Sequence, residues 1–297
     1  MSKVSVIIPT YKRSEAVMTA VQSVLTQTYQ DIEVIVVDDN LAESDHRSRT
    51  SALFADHLAD RVKYLMNPRN MGGALARNVG IEHAVGQFIT FLDDDDVYKP
   101  DKVGIQVKAM EENHWDLCFM DAEMRTPDGQ LLVKRSHTLP MTPTPQALLY
   151  AHLVEHITPT ASYMFRAEKL RAIGGFDNSD TGHEFLLMLK AIENNLRIGY
   201  VPQSELIQYV HEGERISTGA KKVSGENTLY AVKRHYFPRL TAGQRRSIAV
   251  RHWATLAFVY YKQRNVIRAL TCGTRAFLTS PPAAVKLLSR MGGMIRS

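Results

Sequence analysis

Along the first third of the chain, short apolar runs alternate with stretches whose apolar positions recur every three or four residues. Lys3 to Ile8 is a β-rich run ended by Pro9-Thr10-Tyr11, and Ile32 to Val37 is a second run that closes in Asp38-Asp39-Asn40. Between them, Glu15 to Thr26 carries Val17, Val21, Val24 and Leu25 at helical spacing, with Ser14 in the position of an N-cap. The pattern predicts a helix over 48–59, a strand from Val62 to Met66, a loop of breakers from Asn67 to Gly73 and a helix from Ala74 to His83. Gln87 to Leu92 follows Gly86 and is short and apolar, as a buried strand is. Strands alternating with helices imply right-handed crossovers and a mainly parallel sheet, an α/β fold.

The alternation then breaks. Trp115 to Met124 predicts a strand, Pro127-Asp128-Gly129 a turn, and Leu131 to Lys134 its hairpin partner. Thr138 to Pro145 is Pro/Thr-rich and predicts a flexible connection. A strand over Ser162 to Arg166, a short helix from Glu168 to Ile173 stopped by Gly174-Gly175, and a helix from His183 to Asn194 follow. Arg197 to Val201 and Glu205 to Val210 predict two strands. From about Gly225 onward the pattern is helical, broken near Pro238, Gly273 and Pro281-Pro282. The expected division is therefore a body over 1–224, split near 115, and a helical region over 225–297.

Charge changes this picture more than composition does. Of 36 Lys and Arg, 13 lie in 230–297, where none of the 31 Asp and Glu occurs, leaving 23 basic and 31 acidic residues before it. An acidic body with a basic helical tail points the tail at an anionic partner. The two cysteines, Cys118 and Cys272, fit no metal spacing and read as buried thiols of a reducing cytosol. Met1-Ser2-Lys3 opens no signal peptide, and the longest uncharged run, Ser136 to Val154, holds too many prolines, histidines and hydroxyls to cross a membrane.

The candidate chemistry sits at Asp93-Asp94-Asp95-Asp96, four adjacent carboxylates at the end of a predicted buried strand. Like charges so close repel, and such a cluster meets either a cation or open water. Ligands bind at the carboxyl ends of strands in open α/β sheets, and carboxylates with phosphate oxygens hold Mg²⁺ or Mn²⁺. Asp38-Asp39 ends another of these strands, so a parallel arrangement brings both acid groups to one edge.

Together these segments resemble family 2 glycosyltransferases, the inverting class with the GT-A fold. Val4-Ser5-Val6-Ile7-Ile8-Pro9-Thr10-Tyr11 is similar to the family's first strand, and Glu33 to Asp39 to its second. Asn70-Met71-Gly72-Gly73-Ala74-Leu75-Ala76-Arg77-Asn78 resembles its Gly-rich segment followed by Arg-Asn, and the acidic cluster its Asp-x-Asp motif. The resemblance covers roughly residues 3–217. It implies a Rossmann-like sheet with helices on both faces, a nucleotide-sugar donor (a UDP-sugar) and a Mn²⁺ or Mg²⁺ cofactor. By the same resemblance, Asp95 ligates the metal and Asp93 or Asp94 meets the donor ribose. Asp39 accepts a hydrogen bond from uracil, Tyr11 packs on the base and Pro9 shapes the pocket. Arg77 steadies either the acidic cluster or the diphosphate; without the family it is a plain surface arginine. Asp38 reads equally as a turn residue, and Asp96 as a cap on the segment that follows.

The second half resembles the family's acceptor side. Gly174-Gly175-Phe176-Asp177 and the helix start at His183-Glu184 are similar to its Gly-Gly-Phe-Asp loop and Glu-Asp helix start. The family places an Asp there as catalytic base; here Glu184 takes that role, with His183 second in line. Without the family, Glu184 is an acid favoured by a helix N-terminus. His211 and Arg215, in a segment resembling the family's loop after its last strand, are expected to approach the metal or diphosphate and to clamp phosphate.

The resemblance implies a glycan or lipid-linked acceptor in bacterial polysaccharide or lipopolysaccharide synthesis. The tail interleaves aromatics with cations, as in Arg251-His252-Trp253, which suits an interfacial helix on anionic lipid better than nucleic acid. The expected location is cytoplasmic and peripheral on the inner face of the membrane. Two other readings stand beside this one. A sugar nucleotidyltransferase is opposed by the missing glycine in Pro9-Thr10-Tyr11-Lys12-Arg13, and a non-catalytic glycan or nucleotide-sugar binding module is supported only by Glu184 in place of Asp.

Overall fold

The computed structural model describes residues 1–55, 61–179, 181–210, 220–285 and 287. Two compact units divide the chain. The first comprises Met1–Leu148, Ile157–Ser179 and His183–His211; the second comprises Leu149–His156, Asp180–Gly182 and Glu212–Ser297.

The first unit begins with β1 (Val4–Thr10), α1 (Ser14–Leu25), β2 (Ile32–Asp38), α2 (Asp45–Ala55), β3 (Val62–Met66), α3 (Gly73–His83) and β4 (Phe88–Phe91). β1 lies between β2 and β4 and is parallel to both, and β3 is parallel to β2. The chain continues through β5 (Asp96–Tyr98), α4 (Lys102–Glu112), β6 (Leu117–Arg125), β7 (Leu131–Arg135), α5 (Pro145–Glu155), β8 (Met164–Arg166), α6 (Ala167–Ala172), α7 (His183–Glu193) and β9 (Ile198–Tyr209). These complete one mixed sheet in the order β3-β2-β1-β4-β8-β6-β9-β5, with β7 on β6.

The central strands β1, β2 and β4 are buried along nearly their whole length, which is why they read as continuous apolar runs. α1 packs Val17, Ala20, Val21 and Val24 onto the sheet at i, i+3, i+4 and i+7, within a core that includes Val4, Val6, Ile8, Val34 and Val36. Each fully buried branched side chain contributes about 1.5–3 kcal/mol. The register pairs Thr10 with Asp38 and Ile7 with Phe91, so β1, β2 and β4 end at one edge. A well-packed core thus fixes the strand ends that carry both acid groups.

Five local expectations are corrected. Ser14 is the first helical residue, not the cap; Arg13 holds the N-cap position, where a guanidinium has no acceptor to offer the backbone, and its side chain is turned to Asp94 and Asp95. Asp96 caps nothing; it opens β5, antiparallel to β9. The two strands expected over 197–210 are one, β9, with its register to β6 shifting between Met120–Val201 and Asp121–Ser204. That irregularity accommodates Pro202, which has no N–H for the ladder. α5 occupies a stretch for which no helix was predicted. Gly273, where the helical run was expected to break, lies inside a helix.

In the second unit, α8 (Ala220–His235), α9 (Ala242–Lys262) and α10 (Val266–Thr279) follow one another. A capping box between Thr241 and Gln244 starts α9. The helical run breaks at Arg264, whose φ is 59°, and Asn265 caps α10 through Arg268 N at 3.2 Å. α10 then runs straight through Gly273. Val250, Ala254, Ala276 and Ala284 form the small core of this unit. Among the described residues, no helix is long and apolar enough to cross a membrane.

Candidate active site

The edge where β1, β2 and β4 end is held by buried charges. The Asp38 carboxylate accepts from Asn40 N at 2.8 Å and Asn40 Nδ2 at 2.9 Å, and the Tyr64 hydroxyl also donates to it. Arg47 approaches Asp38 at 3.3 Å and donates to the carbonyl of Asn67 at 2.8 Å. Asp38 is therefore a buried strut, which is more than a turn residue.

Asp39, 3% exposed, faces the Gly-rich segment. One carboxylate oxygen accepts from Asn67 Nδ2 at 2.8 Å and Met71 N at 2.9 Å, and the other from Gly72 N at 2.8 Å. Gly72 adopts φ 83°, a conformation that glycine reaches without steric cost, and the next residue opens α3. The carboxylate thus positions the helix that carries Arg77 and Asn78. Its roughly four lone-pair sites leave room for one further donor.

The four aspartates separate into two inward and two outward residues. Asp94 and Asp96 are buried at 6% and 3% exposure, whereas the side chains of Asp93 and Asp95 are 32% and 20% exposed. Asp94 accepts from the Thr10 hydroxyl at 2.8 Å, from Tyr11 N at 3.4 Å and from Arg13 at 3.1 Å. Burial nevertheless raises its carboxyl to about 6, with Arg13 and Thr10 pulling the other way. Asp96 accepts from Gln208 Nε2 at 3.0 Å, and burial, then the charges of Asp93 and Asp95, push its carboxyl well up. Arg13 bridges to Asp95 at 2.6 Å, and Arg77 pairs with Asp93. Among the described residues, the guanidinium groups of Arg13 and Arg77 thus stand against the four acids.

Arg77 is no surface arginine: it is 9% exposed, and its guanidinium lies 5.6 Å from the centre of the Phe176 ring. Asn78 next to it donates from Nδ2 to Phe176 O at 2.8 Å and accepts from Phe176 N at 2.9 Å. Gly175 has φ 57°, and a Cβ there would come 2.6 Å from Asn78 Oδ1. The Gly174–Asp177 loop is also tied to α7, where Lys190 donates to Gly175 O at 3.0 Å and pairs with Asp177. Glu184 lies in the first turn of that same helix, half-buried, with the Tyr163 hydroxyl 3.5 Å from its backbone carbonyl. Asp93 and the helix of Glu184 are therefore connected through Arg77, Asn78, Phe176 and Lys190.

Of the remaining predicted residues, Pro9 pairs with Val37 in the parallel ladder. Tyr11 is 39% exposed just beyond β1, with the Lys12 amine 5.1 Å from its ring centre. His211 and Arg215 lie outside the described residues. Sequence reasoning assigned no role to Thr10, Arg13, Asn67, Asn78 or Gln208. Only Asn78 carried a signal, as the second residue of the Arg-Asn pair; the others act on partners distant in sequence.

The carboxylate oxygens are hard donors, the chemistry that suits Mg²⁺ or Mn²⁺. Among the described residues, no group of three or more His, Cys, Asp or Glu is placed to hold a metal ion. A donor set of one or two carboxylates, completed by water and phosphate oxygens, is the usual arrangement for Mg²⁺; Asp93 and Asp95 are the more exposed carboxylates of the cluster, each paired with an arginine, Arg77 and Arg13.

Comparison with known proteins agrees with this architecture. A glycosyltransferase of Rickettsia felis is 43% identical over 114 residues, 38% of this chain and 18% of its own length. The UDP-Glc:alpha-D-GlcNAc-diphosphoundecaprenol beta-1,3-glucosyltransferase WfgD of Escherichia coli is 35% identical over 122 residues, 41% of this chain and 46% of its own. The matches therefore span less than half the length of either relative. The crystal structure of S. aureus TarS 1-349 in complex with UDP-GlcNAc superposes with a TM-score of 0.61 at 18% identity, covering 98% of this chain and 92% of that one, a likeness of fold. The profile of Glycosyl transferase family 2 matches residues 5–174, more than half of the chain. The chain belongs to glycosyl transferase family 2 and has the GT-A fold.

Proposed function

We propose that this protein is an inverting glycosyltransferase that moves a sugar from a UDP-sugar to a lipid-linked glycan acceptor in bacterial surface-polysaccharide synthesis. The observation that carries the reading is the single edge at which β1, β2 and β4 end, beyond which Asp39 and the aspartate cluster follow, with Arg77 paired to Asp93. The acceptor class follows the printed activity of WfgD, which acts on a diphosphoundecaprenol-linked sugar.

In this reading Pro9, Tyr11 and Asp39 receive the uracil base, Asp39 through its remaining acceptor capacity. Asp93, more open than Asp94, takes the ribose, and Arg77 holds it in place. Asp95 binds Mn²⁺ or Mg²⁺, which when present neutralises charge on the departing diphosphate. His211 and Arg215 act on the same diphosphate. Glu184 removes the proton of the acceptor hydroxyl as that oxygen bonds to the anomeric carbon and the bond to the diphosphate breaks. A positioned general base of this kind contributes about 10²–10⁴ in rate. The basic C-terminal helices meet an anionic membrane surface at the cytoplasmic face, where a lipid-linked acceptor resides.

The test is a screen of nucleotide sugars for donor hydrolysis, then transfer by Glu184→Gln with the donor selected. The variant should retain UDP binding and lose transfer by about 10²–10⁴. Full transfer would move the base elsewhere, with His183 first in line. Metal-dependent donor binding without hydrolysis or transfer on any donor would instead favour a binding module.

A further inference from the structure

α10 is amphipathic in the wrong sense for a helix that packs only against its own unit. Its buried residues are small, Cys272 and Ala276, whereas its large apolar side chains point outward. Ile267 is 81% exposed, Leu270 67%, Phe277 50% and Leu278 76%. With the exposed Thr271 and Thr274 between them, these positions recur at i, i+3, i+4, i+7, i+10 and i+11. They form one stripe on the outer face, about 100° or more wide. An exposed contiguous apolar stripe on a described helix marks a contact surface.

Charge identifies the occupant. The stripe is bordered by Arg268 and Arg275, both exposed, and the C-terminal segment 230–297 has 13 Lys and Arg and no Asp or Glu. The flanking cations rest on aromatic rings: Arg275 lies 4.8 Å from the centre of the Trp253 ring and Arg268 5.6 Å from that of Tyr260. An apolar stripe with arginines and aromatics along its border is the make-up of a helix lying in the boundary of an anionic bilayer. A second copy of this positively charged unit would bring like charges together.

We infer that α10 is an interfacial anchor, lying along an anionic lipid surface with Ile267, Leu270, Phe277 and Leu278 inserted below the headgroups and Arg268 and Arg275 among the phosphates. The inference deepens the membrane contact of the proposed function by naming its element and face. It does not depend on the catalytic assignments.

The experiment uses the full chain in co-sedimentation with vesicles of phosphatidylcholine alone or mixed with phosphatidylglycerol. The wild type should bind the mixed vesicles and lose binding as salt is raised. The combined variant Ile267→Ser, Leu270→Ser, Phe277→Ser and Leu278→Ser should bind them on the order of a hundredfold more weakly. Its donor hydrolysis should be unchanged, which separates failure of the anchor from failure of the transferase reading. Phe277→Trp alone should give vesicle-dependent emission beyond that of wild type, a readout that needs no binding-defective variant. Equal vesicle binding by the combined variant, no added emission from Phe277→Trp, or equal wild-type binding to neutral vesicles would each overturn the inference. So would a wild-type dimer in vesicle-free buffer that the combined variant converts to monomer, since a second copy would then cover the stripe.

Discussion

Replacing Asp39 by Asn should loosen the Gly-rich segment while leaving the sheet intact. The Asp39 carboxylate accepts three hydrogen bonds, from Asn67 Nδ2, Met71 N and Gly72 N, in a site 3% exposed. In the Asn variant the remaining oxygen can keep the pair from Asn67 and Met71, but the new NH₂ group then faces the Gly72 N–H, donor against donor. Losing one hydrogen bond to a buried charged acceptor costs about 1.5–3 kcal/mol. If that cost falls on local opening, amide exchange at Gly72 and Met71 accelerates roughly ten- to hundredfold. Hydrogen exchange read at 67–73, with the paired β6 and β9 residues Phe119 and Tyr200 as reference, measures this directly. Asn67→Ala, which removes one donor and keeps the carboxylate, should accelerate exchange and retain UDP affinity. Unchanged exchange at both amides in Asp39→Asn would refute the view that this carboxylate shapes the loop opening α3.

Two further outcomes follow from buried ionisable groups. Lys102 is fully buried, with its amine 2.6 Å from the Thr90 hydroxyl and 3.9 Å from the centre of the Tyr98 ring, and burial lowers it well below the usual lysine range. The unfolded chain therefore binds a proton that the folded one has lost, and stability rises with pH between the two values by up to about 1.4 kcal/mol per unit. Lys102→Met should flatten that part of a urea-denaturation pH series; an unchanged slope would count against a neutral buried amine. His156 is pushed down to about 2, first by burial and then by Lys233, His152 and Arg251. Below about pH 6.5 the unfolded chain gains a proton that the folded one does not, so stability falls as pH drops, again by up to about 1.4 kcal/mol per unit. His156→Asn, which tolerates the local φ of 54°, should remove this acid-side loss in the same series.

The parallel part of the fold was legible because its strands are buried on both faces and its helices on one. Apolar runs therefore stood out from residues with helical spacing, and two of the runs ended in acids. The direction of each acid was not legible. Asp94 turns inward because Thr10 and Arg13, more than eighty positions earlier, bond it, and Asp96 because Gln208 does. Arg13 carried no signal of its own, since nothing local shows that its guanidinium pairs with Asp94 and Asp95. β9 looked like two strands because Pro202 interrupts the pattern while a register shift lets the ladder continue. The periodicity of α10 was visible in principle, but periodicity alone does not say which face is buried. Only the packing of Cys272 and Ala276 shows that the large residues are outside.

The central claim is that the outward aspartates at the end of β4 receive a metal-bound nucleotide diphosphate. Calorimetric titration of UDP into wild type and Asp95→Ala, with and without Mn²⁺, tests it most directly. Mn²⁺ should tighten UDP binding to wild type, and this gain should disappear in the variant, which remains folded by hydrogen exchange. An equal Mn²⁺-dependent gain in both proteins would contradict it.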